Sequence, residues 1–261
     1  MSEIITIPEN IHKTRLVEQY MAQKEAFDKV LSTKAKEDLY IFNKWILDVE
    51  KDKAPLAPFH KELCHFVTDD QKKKKLILVP RGHLKSTLIT IGYSLFRIIN
   101  NQSVRILILN ATWQMAVDFL TEIKRSLKTN ERILEYYGDL TQGSMEWSQD
   151  RITLKRGDTN IKGPTVWATG VDSNLVGSHP DLIILDDVVN RDNTGTREQV
   201  EKVILRYRDA LDLLEPGGQL IVIGTRWAMG DFYNWLLDKD SGILSSYDVM
   251  VRQAYTGTLS D

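Results

Sequence analysis

Apolar positions along this chain switch between two spacings. Over Thr14–Leu31 and Lys36–Val49 they recur at three- and four-residue intervals among Ala, Glu and Lys, which predicts a pair of helices. A charged, proline-bearing connector, Lys51–Pro58, follows. Beyond it, short apolar runs predict strands at Lys75–Val79, Val104–Asn110, Arg151–Lys155, Thr165–Thr169, Leu182–Asp186, Gln219–Gly224 and Tyr247–Arg252. Helical spacing between them predicts helices at His60–Thr68, Ser86–Ile99, Trp113–Thr129, Arg197–Leu214 and Asp231–Leu237. Alternation of this kind specifies an α/β fold, a mostly parallel sheet with helices on both faces. Residues 151–169 read as a hairpin, an antiparallel addition. Trp113, Trp147, Trp167, Trp227 and Trp235 are expected in the core. Ligands of such sheets sit beyond the carboxyl ends of the strands, and the polar clusters fall at those ends.

The first cluster lies in KLILVPRGHLKST, residues 75–87. A buried strand runs to Pro80, which cannot donate to a ladder, and the helix from Ser86 begins shortly afterwards. A helix N-terminus with its unpaired N–H groups is a natural seat for phosphate. The standard phosphate loop reads G-x-x-x-x-G-K-[ST]. Here Gly82, Lys85 and Ser86 are present, but Val79 and Leu84 replace the spaced glycines. Lys85 is placed to reach β- and γ-phosphates, Ser86 to ligate Mg²⁺, and Arg81 to offer a donor fork near the γ-phosphate. The alternative is an ordinary strand–helix turn with a polar surface.

DLIILDD, residues 181–187, is a buried strand delivering two carboxylates to the same sheet edge. Neighbours on a strand point to opposite faces, so Asp186 and Asp187 share a site only if the strand ends there. Asp186 would then belong to the Mg²⁺ shell, and Asp187 would orient or activate water. The competing reading is a pair of solvated acids; the loop at 81–87 favours the first. QLIVIGTRW, residues 219–227, is a third such strand. Thr225 at its end is a candidate for sensing the γ-phosphate or its water, against a plain strand-end turn.

The ordered set PRGHLKST, DLIILDD, IVIGTRW and Asp231–Leu237 resembles the ATPase domain of phage large terminase subunits, the motors that pump double-stranded DNA into procapsids. That family resembles ASCE-type P-loop ATPases and often carries a loop of the form R-G-x-G-K-S-T. Arg81, Gly82, Lys85, Ser86 and Thr87 match it, and His83 fills the variable position; Leu84 departs from its glycine. Asp186-Asp187 match the D-[DE] end of Walker B, and Gly224-Thr225-Arg226 stand at the coupling motif. The resemblance covers roughly residues 55–240. It implies a three-layer P-loop (RecA/ASCE-like) NTPase domain over 53–261 behind an N-terminal helical segment, 1–52. It also implies ATP and Mg²⁺ as cofactors. Implied partners are double-stranded DNA, a portal protein, a small terminase subunit and other copies in a ring, a pentamer. The implied location is the host cytoplasm. Pro58-Phe59-His60 lies where the family places its adenine-binding segment; Phe59 would stack on the base, with His60 or Lys61 beside it, unless this is simply a helix start packed on the core. The family's nuclease domain is not expected in this chain, nor is DNA cleavage. Its arginine before Walker B is replaced by LVGS at 175–178; Arg151, Arg156, Arg191 and Arg226 are the candidates for an arginine acting across subunits. A helicase-like DNA-dependent ATPase and a non-hydrolysing nucleotide-binding module remain the alternatives.

Composition narrows the partners. A formal net charge of −2 makes any DNA contact local. The run Lys72–Lys75 is the obvious basic patch, though such runs are usually solvated turns. Cys64 is the sole cysteine, which excludes an intrachain disulfide and suits a reducing compartment. His60, Cys64 and His65 on one helix make a poor metal site without a fourth ligand. No apolar stretch reaches membrane-spanning length, and the first residues lack the layout of a signal peptide.

Overall fold

The computed structural model describes residues 9–51, 55–157, 160–175, 177–190, 193–225, 230–238 and 242–253, with side chains from residue 18 onward. Helices α1 (Glu9–Glu37), α2 (Leu39–Ile41, running into a π-helical turn at Phe42–Ile46) and α3 (Pro58–Thr68) precede the first strand, β1 (Lys74–Leu78). A π-helical stretch, Ser86–Tyr93, continues directly into α4 (Ser94–Asn100). Then come β2 (Ile106–Asn110), α5 (Trp113–Thr129), α6 (Glu131–Tyr137), β3 (Glu146–Trp147), β4 (Arg151–Thr153), β5 (Val166–Gly170), β6 (Leu182–Asp186), α7 (Arg197–Leu213), β7 (Gln219–Gly224), α8 (Phe232–Leu237) and β8 (Tyr247–Val251).

The strands form one sheet in the order β3-β4-β5-β2-β6-β7-β1-β8. Pairings from β5 through β8 are parallel, and β3–β4 and β4–β5 are antiparallel, so the expected hairpin is present. Alternate strand residues divide the core. Ile77, Ile106, Ile108, Ile184, Ile221 and Ile223 face α1–α5. Leu76, Leu107, Ile183, Leu185, Leu220 and Val222 face α7 and α8. This is the three-layer architecture that the alternation predicts. No helix among the described residues is long and apolar enough to cross a membrane.

Several expectations need correction. The first helix does not stop at Leu31: Ser32 and Thr33 turn their hydroxyls back onto the Lys29 carbonyl and the helix runs to Glu37. The break falls at Asp38, an extended residue whose carboxylate accepts from the N–H groups of Tyr40 and Ile41 and so starts α2. Helix α6 was not foreseen, because Asn130 both ends α5 and caps its successor through Ile133 N–H. The short β3 was not foreseen either. Trp113 is not core: it is the first residue of α5 and 38% exposed. Trp167 is buried, Trp147 and Trp235 are half-buried, and Trp227 lies outside the described residues.

Only half of the Lys72–Lys75 run is a solvated turn: Lys72 and Lys73 are exposed ahead of β1. Lys74 and Lys75 belong to β1, and Lys75 is fully buried with its ammonium 2.7 Å from Asp248 Oδ2 on β8. Lys73 pairs with Asp70, and Lys72 donates to the Tyr247 carbonyl. The run lies at the amino end of its strand, opposite the edge where the polar motifs gather.

Candidate functional site

Register sets the site. Leu78 of β1 pairs with Gly224 of β7, Asp186 of β6 with Ile223, and Leu109 of β2 with Leu185. The carboxyl ends of these parallel strands therefore finish nearly level, and the residues that follow them meet in space. Strand β7 lies between the strand that leads into the 81–87 loop and the strand that carries the two aspartates.

After Val79, which still donates to the Gly224 carbonyl, the chain leaves the sheet and turns. Gly82 has φ +80° and Leu84 φ +54°, so both occupy the left-handed region. For Gly82 this costs nothing; for a leucine it costs about 1–2 kcal/mol. Leu84 thus holds a backbone conformation that favours glycine. The turn delivers Lys85 as the residue before the π-helical stretch, and the first turn from Ser86 presents its N–H groups to the loop. His83 Nδ1 lies 3.0 Å from the Arg81 carbonyl; Arg81 and Gly82 are exposed, while Ser86 and Thr87 are half-buried.

Lys85 is 6% exposed and is the hub of the cluster. Its ammonium lies 3.1 Å from Asp187 Oδ2 and donates to Thr225 Oγ1, also at 3.1 Å. Asp187 Oδ1 in turn accepts from the Thr225 N–H at 3.0 Å, and Thr225 Oγ1 lies 3.4 Å from the Val79 carbonyl. Three strand ends are closed into one ring of polar contacts.

The condition for two adjacent carboxylates to share a site is met. β6 ends at Asp186, and Asp187 has φ +44°, a left-handed turn that swings its side chain toward Lys85 while its N–H still reaches the Ile223 carbonyl. Asp186 is fully buried. Thr90 Oγ1 donates to its Oδ2 at 2.6 Å, and Asn110 Nδ2 donates to its backbone carbonyl at 2.6 Å. Its Oδ1 has no hydrogen-bond partner. Burial drives this carboxyl up to about 6; Asp187 adds to the rise, and the Thr90 and Ser86 hydroxyls and the Lys85 ammonium oppose it. Thr90 and Asn110 were not singled out from the sequence. Each had a signal: Thr90 stands one helical turn after Ser86, and Asn110 is the polar last residue of an otherwise apolar strand.

Phe59 and His60 sit beside the loop. The Phe59 ring lies 6.0 Å from the His83 ring and packs half-buried on the core. His60 Nδ1 accepts from the Ala57 N–H at 2.8 Å, which caps α3. Burial, then the proximity of His83, lowers its pKa, so the ring is neutral at ordinary pH. Cys64 is buried, its thiol raised to about 12 mainly by burial, and among the described residues no three His, Cys, Asp or Glu side chains gather as a metal cluster.

Of the arginines considered for action across subunits, Arg156 donates to the carbonyls of Ile161 and Gly163 near the amino end of β5. Arg151 stacks its guanidinium 4.8 Å from the Trp167 ring. Arg191 and Arg226 lie outside the described residues.

No protein-family model matches the chain, and no curated protein matches it by sequence. Among solved structures it is similar to the crystal structure of the bacteriophage HK97 large terminase, with a TM-score of 0.60 and 18% sequence identity over 87% of this chain. The match covers 45% of that terminase chain, so this chain spans less than half its length. At such identity the likeness is one of fold, and the fold is a three-layer α/β architecture, a mostly parallel sheet between helices, shared with a phage large terminase.

Proposed function

We propose that this chain is the ATPase motor domain of a viral large terminase, hydrolysing ATP with Mg²⁺ to drive double-stranded DNA into a procapsid. The observation that carries the reading is the ring of contacts in which Lys85, Asp187 and Thr225, from three separate strand ends, meet within 3.1 Å of the Lys85 ammonium. The likeness in fold to the HK97 large terminase supports the DNA-packaging part.

The residues fit a nucleotide and its metal. Gly82, His83, Leu84 and the first helical turn from Ser86 would cradle phosphate with backbone N–H groups, with Thr87 beside them. The unpartnered Asp186 Oδ1 and the Ser86 hydroxyl make the oxygen donor set that Mg²⁺ takes alongside phosphate oxygens. The metal would neutralise charge on the transferring phosphate. Lys85 and Arg81 would add to that neutralisation, and Phe59 and His60, beside the loop, would contact the adenine. As the structure stands, Lys85 neutralises Asp187. A phosphate that drew Lys85 forward would release Asp187 Oδ2 to accept a proton from water, and would release Thr225 at the same moment. Thr225, bonded through its N–H to Asp187 and reaching the Val79 carbonyl, would carry that change into β1 and β7. The same reading assigns a ring of copies on a portal protein, a small terminase subunit as companion, and a place in the host cytoplasm.

Phosphate release measured with and without long duplex DNA, at protein concentrations that allow ring assembly, tests this. Wild type should turn over ATP, DNA should stimulate it, and Lys85→Ala and Asp187→Ala should each lower the rate by about 100-fold or more. Wild type no faster than both variants would leave a non-hydrolysing binding module. Separation of strands in a displacement assay would favour a helicase-like ATPase.

A further inference from the structure

We propose that Thr90 is a positioning residue of the metal site, its hydroxyl fixing the Asp186 carboxylate so that a single oxygen faces the cation. The proposal rests on the nucleotide and Mg²⁺ reading above and assigns a residue that the loop and Walker motifs do not include.

Thr90 and Asp186 are both fully buried, and the hydroxyl takes Oδ2 at 2.6 Å. A threonine inside a helix ordinarily bonds back to a carbonyl of the preceding turn. Thr33, Thr68, Thr121 and Thr129 all do so in this chain, each to the carbonyl four residues earlier. Thr90 instead spans from the helix to β6. The wide π-helical turns of Ser86–Tyr93 accompany the departure.

The result is an aspartate held at two points, its backbone carbonyl and one carboxylate oxygen. Asn110 grips the Asp186 carbonyl and Thr90 grips one carboxylate oxygen. The other oxygen, Oδ1, is buried without a partner. An orphaned buried carboxylate oxygen costs free energy, and such groups persist where a function requires them. Ser86, one turn nearer the loop than Thr90, exerts its pull on the same carboxyl. Ser86 and Thr90 thus stand one turn apart on the same helix, Ser86 nearer the phosphate loop and Thr90 bonded to Asp186. Outer partners of this kind set ligand orientation and typically control metal affinity by about 10–100-fold.

The test is titration of a fluorescent adenine nucleotide into wild type, Thr90→Val and Thr90→Ser, each in EDTA and across a Mg²⁺ series. Valine keeps the volume and removes the hydroxyl. Thr90→Val should bind nucleotide as wild type does in EDTA but require about 10–100-fold more Mg²⁺ for tight binding, and Thr90→Ser should restore the wild-type requirement. A wild-type Mg²⁺ requirement in Thr90→Val overturns the proposal and leaves the nucleotide reading standing. So does equal impairment of valine and serine variants, or a loss in EDTA as large as that in Mg²⁺, either of which would mark Thr90 as packing alone. Wild type that binds no nucleotide under either condition overturns both.

Discussion

Leu84 is a single side chain in a backbone conformation that suits glycine, and the energies involved predict what replacing it does. Relief of the left-handed φ is worth about 1–2 kcal/mol. Against it stand the greater freedom that glycine brings to the unfolded chain, about 0.4–1 kcal/mol, and the lost packing of a half-buried leucine, about 1 kcal/mol. The terms nearly cancel, so Leu84→Gly should leave the melting temperature within a few degrees of wild type. Nucleotide affinity should still rise, by about three- to tenfold, because the backbone of the loop then approaches phosphate without a Cβ and branched side chain in the way. Thermal denaturation and nucleotide titration check the halves separately. Unchanged affinity would mean that the loop never depended on glycine at this position. Gly82, Lys85, Ser86, Asp186, Asp187 and Thr225 were chosen from type and order, and the structure gathers them at one sheet edge. Thr90 and Asn110 escaped because nothing in a threonine within a helical pattern, or an asparagine ending a strand, says which carboxylate it will meet.

At the scale of elements, the N-terminal helices are bound into the core that positions the loop. Asn43, in the π-helical turn after α2, is fully buried and donates to the Leu39 and Leu88 carbonyls, tying that turn to the helix that starts at Ser86. Leu39, Phe42 and Ile46 are buried in the same cluster as Leu88 and Ile89. The contact leaves no room for a side chain at Gly92. A Cβ there would lie 2.0 Å from Asn43 Oδ1 and 2.9 Å from its Cγ. Asn43 is held by hydrogen bonds and cannot swing aside cheaply. Gly92→Ala should therefore destabilise the protein by about 1–3 kcal/mol, read as a shift of the urea midpoint with an unchanged slope. A loss below about 0.5 kcal/mol would show that the two helices separate freely. From the sequence, Gly92 is only a glycine in a helical pattern, and Asn43 only a polar residue beside Trp45. Helix boundaries were misplaced for a related reason: Ser32, Thr33 and Asp38 are all potential breakers, and only the hydrogen bonds each finds decide which one breaks the helix.

For the whole molecule, the two ends of the sheet have different tasks. The carboxyl end assembles the polar ring, and the amino end holds β8 against β1. There Lys75 is fully buried with Asp248 as its anion, and its ammonium also lies 5.1 Å from the Phe66 ring centroid. Removing the anion leaves a buried charge without a partner. Since Asp248 is itself partly exposed, the lower end of the usual range applies, and Asp248→Asn should cost about 3 kcal/mol. Nucleotide affinity should be unchanged, because the pair lies at the far end of β1 from the loop. Chemical denaturation and nucleotide titration of the same variant would show this; weakened binding at full stability would contradict the separation of tasks.

The order of apolar runs and helical repeats sufficed to specify an α/β sandwich with its polar motifs at strand ends, because burial on two faces leaves period and length as strong local signals. Lys85, Asp186, Asp187 and Thr225 were legible as residue types suited to phosphate and metal chemistry. Strand order, register and the left-handed turns at Leu84 and Asp187 were decided only in three dimensions. They depend on pairings between segments far apart in the chain, such as Leu78 with Gly224 and Asp186 with Ile223. Those pairings close Lys85, Asp187 and Thr225 into one ring and leave Asp186 with a single unpartnered oxygen, and no local pattern of residues carries that information.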